Sequence, residues 1–92
     1  SVKKIKVEKK MVEYLEMLSF ETESRKSLLG YLIERGISLD SQEFQDYHKE
    51  YREWFVKYEL AKRELEKQYV LPASEGKSIP WSLDFASGEL TF

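Results

Sequence analysis

Hydrophobic and polar positions from Ile37 to Tyr69 alternate with the period of an α-helix. Asp40 stands where an N-cap is needed, Glu43 follows as in a capping box, and Leu39 and Phe44 are placed as a hydrophobic staple. Beyond this start, apolar residues recur at steps of three and four at Phe44, Tyr47, Tyr51, Trp54, Tyr58, Ala61 and Leu65. The spacing predicts an amphipathic helix over residues 40–70 with a mostly aromatic stripe.

A further helix is predicted upstream, over residues 8–35. Its apolar face comprises Met11, Leu15, Leu18, Leu29, Leu32 and Ile33. Gly36 follows directly and has the residue type of a left-handed C-terminal cap. Only a short connection separates the two helices, so we expect an antiparallel hairpin.

The two ends of the chain change period. Residues 1–7 are basic and partly alternating, as in an edge strand or arm. Residues 72–78 have the composition of a linker, and residues 79–92 alternate through Trp81, Leu83 and Phe85 before a turn at Gly88. The chain is therefore predicted to be one mainly α domain, a long antiparallel two-helix hairpin with a short C-terminal β-hairpin. That β-hairpin must dock on the helices, on the N-terminal strand or on a partner.

Composition narrows the possible functions. The 92 residues carry a net charge of −2, which argues against binding nucleic acid by phosphate neutralisation. The sequence has no cysteine, and no apolar run approaches the ~20 residues of a membrane span. We therefore expect a cytoplasmic protein without a nucleic-acid or membrane partner.

The glutamate-rich helices lack the motifs of known catalytic sites. A di-iron carboxylate site needs Glu-x-x-His, but the residue three before His48, the single histidine, is Gln45. The glycines are isolated, so no phosphate-binding loop is predicted. These patterns favour a non-enzymatic protein with no cofactor, metal or catalytic residue.

Polar residues interrupt the predicted helix–helix seam near its middle. Glu21 and Arg25 are four residues apart, a good ion-pair spacing, and face the aromatic helix around Trp54. Two interpretations stay open. The pair forms a functional polar notch, or it lies at the rim of the seam with its hydrogen bonds completed by tyrosine hydroxyls.

The aromatic helix carries more rings than one facing helix covers. Most are expected in the core, and the remainder suit an interface because they join apolar area to a polar tip. The predicted partner-binding residues are Tyr51, Trp54, Phe55, Tyr58, Trp81, Leu83 and Phe85. We expect a protein or peptide partner, and a homo-oligomer formed through Trp54, Phe55 and Tyr58.

The pattern FxxYxxxYxxWFxxYE from Phe44 to Glu59, followed by a linker and the segment Trp81 to Leu90, resembles a group of bacterial proteins. These are the small helical accessory proteins of CXXX-repeat peptide modification systems. The resemblance implies a non-catalytic helper that binds a precursor peptide or its modifying enzyme. The alternative prediction is a structural component of a phage or mobile-element particle.

Overall fold

A computed structural model describes residues 3–92. The elements in chain order are β1 (Lys4–Lys6), α1 (Lys9–Glu34), α2 (Gln42–Leu65), a π-helical turn (Glu66–Val70), α3 (Leu71–Ala73), β2 (Ser82–Asp84) and β3 (Glu89–Thr91). The predicted fold class is confirmed: the protein is mainly α, with a pair of long helices and a small antiparallel sheet. The predicted arm or strand over residues 1–7 contains β1, and its first two residues lie outside the described range.

A glycine cap ends the first helix. Gly36 adopts a φ of 84°, which a residue with a side chain reaches only with strain. Its N–H donates to the Ile33 carbonyl at 3.0 Å, and the N–H of Ile37 donates to the Leu32 carbonyl at 3.1 Å. This pair of bonds is a Schellman motif, so the predicted cap is confirmed.

The start of α2 differs from the sequence prediction. Ser41, not Asp40, is the N-cap, because its Oγ accepts the N–H of Phe44 at 3.2 Å. The Ser41 Oγ in turn donates to the Ser38 carbonyl at 2.6 Å, which fixes the cap one residue later. The predicted capping box at Asp40 is therefore wrong.

Contacts along the chain divide it into two compact units. The first, here called the sheet unit, takes in residues up to Glu16 together with Leu60–Phe92. The second, the hairpin unit, is Met17–Glu59. Each is described by itself below.

The sheet unit places the C-terminal β-hairpin on the N-terminal strand. The strand order is β1-β3-β2, so β3 is central and pairs antiparallel with both neighbours. Gly88, with a φ of 74°, closes the turn by donating to the Asp84 carbonyl at 2.7 Å. Among the docking modes left open by the sequence, the hairpin thus pairs with β1 of its own chain.

The sheet unit has a buried apolar core. Its buried apolar side chains are Val7, Val12, Leu15, Leu65, Val70 and Leu90. The π-helical turn brings Val70 into this core, and the hydroxyl of Tyr69 accepts the N–H of Glu8 at 3.1 Å. The segment predicted as a linker begins with α3 and continues into a turn in which Gly76 N–H donates to the Leu71 carbonyl at 2.8 Å.

The hairpin unit has a narrower core. Leu18, Thr22 and Leu29 of α1 and Phe44 of α2 are buried. Ile33, predicted on the same face of α1, is 53% exposed, so that part of the prediction is wrong. Ile33 lies only about 40° round the helix from Leu29, but it stands in the last turn of α1, at the end of the buried seam.

Candidate functional site

A row of rings runs along α2 within the hairpin unit. The ring centroids of Phe44 and His48 are 6.0 Å apart, those of His48 and Tyr51 6.4 Å, and those of Tyr51 and Phe55 5.9 Å. Helical steps of three and four place these residues on one edge of the helix. We call Phe44, His48, Tyr51 and Phe55 the aromatic row. It begins at a buried ring and ends at Phe55, which is 41% exposed.

The predicted polar residues meet beside this row. Arg25 forms an ion pair with Glu21 one turn earlier on α1, and its Nε donates to Glu50 Oε1 of α2 at 2.8 Å. A further N–H of the Arg25 guanidinium donates to the Glu21 backbone carbonyl at 3.1 Å. One arginine therefore links both helices of the unit, and the second carboxylate supplies a bond that one of the two sequence interpretations gave to tyrosine hydroxyls.

The neighbouring carboxylates favour the charged form of Arg25. The hydrogen bond with Glu21 raises the pKa of Arg25, partial burial opposes the rise, and Glu50 adds to it. A pKa raised by folding contributes stability that is fully present below the unfolded-state pKa of arginine and is lost only as the pH rises through the raised value.

Two cationic side chains lie over the ring of Trp54. The Arg25 guanidinium carbon lies 4.9 Å from the centroid of the Trp54 ring, and the Lys57 Nζ lies 4.6 Å from it. Both distances fall within the ~6 Å of a cation–π contact. Trp54, Tyr51 and Tyr58 are half-buried. Among the predicted residues of α2, Phe55 therefore has the largest exposed fraction.

A buried hydroxyl lies one turn of α1 before Arg25. Thr22 is 3% exposed, and its Oγ1 has no hydrogen-bond partner among the described residues. A buried hydroxyl without a partner costs about 1–3 kcal/mol. Between the two helices, the hydrogen bonds of polar side chains are thus less complete at Thr22 than at Arg25.

The predicted residues of the tail belong to the sheet unit. Trp81, Leu83 and Phe85 are half-buried. Phe85 also lines a groove of about 480 Å³ whose wall carries Lys6, Lys9, Glu13 and Glu16. Both signs of charge occur there, and Lys6 donates to the Ser87 carbonyl. The groove therefore presents no single charge to a ligand.

Among residues 3–92, no three metal-ligating side chains are grouped so that they could hold an ion. Within the same range, neither long helix has the length and apolar character that crossing a bilayer requires.

No family model matches this chain, and no match was found among curated proteins or among solved structures. We therefore infer function from the side chains themselves.

A second apolar surface, which the sequence prediction missed, lies on α1. Met17, Phe20, Leu28 and Tyr31 are each more than a third exposed, and Phe20 reaches 60%. We call these four residues the outer stripe. Their spacing repeats the helical period on the side away from Leu18 and Leu29, so a search for a second stripe on the same helix would have found them.

Proposed function

We propose that the protein is a non-enzymatic binding module whose aromatic row takes up an apolar segment of another polypeptide. The observation that carries this proposal is the exposure of Phe55 at the end of a row of rings in mutual contact. Rings that already contact one another on one helix face lose little side-chain freedom on binding, which favours affinity.

The polar residues around the row support binding over chemistry. Arg25 is engaged by Glu21 and Glu50 and lies over Trp54, so its donors serve to join the helices. Aromatic and arginine side chains that are already ordered are typical of the centres of protein interfaces. Glu50 and Glu53 follow the row along α2, and carboxylates there disfavour nucleic acid.

The finer proposal concerns the partner. The resemblance of Phe44 to Glu59 to accessory proteins of peptide modification favours a precursor peptide or its modifying enzyme. We propose this role in a bacterial cytoplasm, with the chain acting as a helper.

The test uses the products of the genes that neighbour this one. Each product is purified and titrated into the full chain by calorimetry. We expect a modifying enzyme or its precursor peptide to bind, and Phe55→Ala to raise its Kd at least tenfold, because the most exposed ring of the row is lost.

The matched control is Val56→Ala. Val56 is the next residue on α2, 53% exposed and 100° further round the helix, so its loss should leave Kd within about twofold. Equal weakening by both variants, or no binding by any neighbouring product, would contradict the proposal. Binding of a capsid or tail protein would favour the particle alternative instead.

A further inference from the structure

The outer stripe has a symmetric arrangement of residues along α1. Ser24, small and exposed, lies at its middle. Phe20 and Leu28 are each four residues from Ser24, and Met17 and Tyr31 are each seven residues from it. A twofold contact between identical chains requires a patch that is complementary to itself, and this arrangement has that property.

We propose that the outer stripe is the contact between two copies of this chain, with α1 packed antiparallel on α1 of the second copy about a twofold axis at Ser24. In this register Met17 lies opposite Tyr31 of the second copy, and Phe20 lies opposite Leu28. Each large side chain therefore meets another large side chain, and the two serines meet at the axis.

The packing of two such helices is favourable both at the twofold axis and further from it. A small residue at the crossing point lets two helix axes approach to about 8–10 Å. Further out, the thioether of Met17 reaches the ring of Tyr31, a contact that sulfur and aromatic groups favour.

Charged residues at the two ends of the outer stripe are also placed symmetrically about Ser24. Glu13 lies one turn before Met17 on α1, and Arg35 lies one turn after Tyr31, where its guanidinium stacks 4.9 Å from the Tyr31 ring centroid. Both residues are eleven positions from Ser24, so the register sets Glu13 opposite Arg35 of the second copy at each end. The pair of Glu13 with Lys9 is 3.9 Å long and exposed, so it competes weakly.

The available area sets the expected affinity. A large apolar or aromatic side chain has a bare surface of about 150–250 Å², so the outer stripe exposes roughly 400 Å² per copy. Two copies bury roughly twice that in apolar surface, below the ~1,600 Å² of a standard interface. We therefore expect a weak dimer, which forms only at the upper end of the concentrations tested below.

Sedimentation equilibrium at about 10–200 µM tests the surface. The wild-type chain should approach twice its 11.0 kDa mass at the upper concentration. Phe20→Glu should stay monomeric, because the two new carboxylates enter the apolar contact. Val56→Glu, an equally open apolar position on α2, is the control and should dimerise as the wild type does.

The axis is tested by oxidation, since the chain contains no cysteine. Ser24→Cys should form a disulfide-linked dimer in most of the protein, while Lys26→Cys, which points to the other side of α1, should not. A monomeric wild type at 200 µM, loss of the dimer in Val56→Glu but not in Phe20→Glu, or equal cross-linking at both positions would each overturn the proposal. It rests on α1 and not on the aromatic row, so it fails or stands independently of the proposed partner binding.

Discussion

The sheet unit and the hairpin unit use their apolar residues in opposite ways. In the sheet unit, six apolar side chains from both ends of the chain are buried, and Leu65, Val70 and Leu90 are fully so. In the hairpin unit, more large apolar side chains are open than closed. The open ones are Met17, Phe20, Leu28, Tyr31, Ile33, Leu39, Phe55 and Val56.

The difference arises because the two units contain different elements that can cover the apolar face of a helix. The sheet unit contains three strands in addition to its helical residues, and Val12 of α1 and Leu90 of β3 are both buried in it. The hairpin unit has only one helix facing another, and each helix buries a single seam. Its remaining apolar residues are open to another polypeptide, and our proposed function therefore places the partner site in the hairpin unit.

The largest expected effect removes a side chain from the sheet-unit core. Leu90 is 0% exposed at the centre of β3, so Leu90→Ala should lower the free energy of unfolding by about 2–5 kcal/mol in urea denaturation. Leu60→Ala makes the same chemical change at a site that is 57% exposed in the same unit and should cost less than about 0.5 kcal/mol. Equal costs would remove the contrast in packing between core and surface.

An intermediate effect is expected at Arg25 in the hairpin unit. Arg25→Leu leaves Glu21 and Glu50 without their cation and Trp54 without its guanidinium contact, so it should cost about 1 kcal/mol. Changing Glu21 to leucine as well removes the stranded carboxylate and should restore part of that loss. Chemical denaturation gives the free energy of unfolding of both variants. A double variant that is no more stable than Arg25→Leu would show that the Glu21–Arg25 pair contributes little.

The smallest effect is a gain in stability at Thr22. Thr22→Val keeps the side-chain shape and removes a buried hydroxyl without a partner, so it should raise the free energy of unfolding by about 1 kcal/mol. Thr22→Ser keeps the hydroxyl, loses the methyl group and should be destabilising. A loss of stability in Thr22→Val would mean that the hydroxyl is satisfied in solution.

Much of the fold was readable from local signals. The long helical periods, the Gly36 cap and the Gly88 turn each depend on residues close in sequence. The start of α2 was not, because Ser41 and Asp40 are both good caps and a bond between Ser41 and Ser38 selects one of them. The five residues of the π-helical turn carry no local signal that distinguishes them from continued α-helix.

The site was predicted less completely than the fold. The spacing of Glu21 and Arg25 predicted their pair, but Glu50 is distant in sequence and joins only through the hairpin. The outer stripe was missed because α1 carries two apolar stripes, and the one that includes Leu15 and Leu18 was taken as the whole pattern. Two stripes on one helix also weaken each other in any measure of amphipathicity.

The contrast between the units is tested most directly by the two methionines of the chain. Met11 lies in the sheet unit and Met17 in the outer stripe, so methyl-labelled methionine reports on both in one spectrum. A soluble paramagnetic agent should broaden the Met17 methyl signal strongly at about 10 µM protein and much less at several hundred micromolar, because a second copy then covers it. The Met11 signal should respond equally at both concentrations. A Met17 signal that is broadened to the same extent at both concentrations would contradict the account.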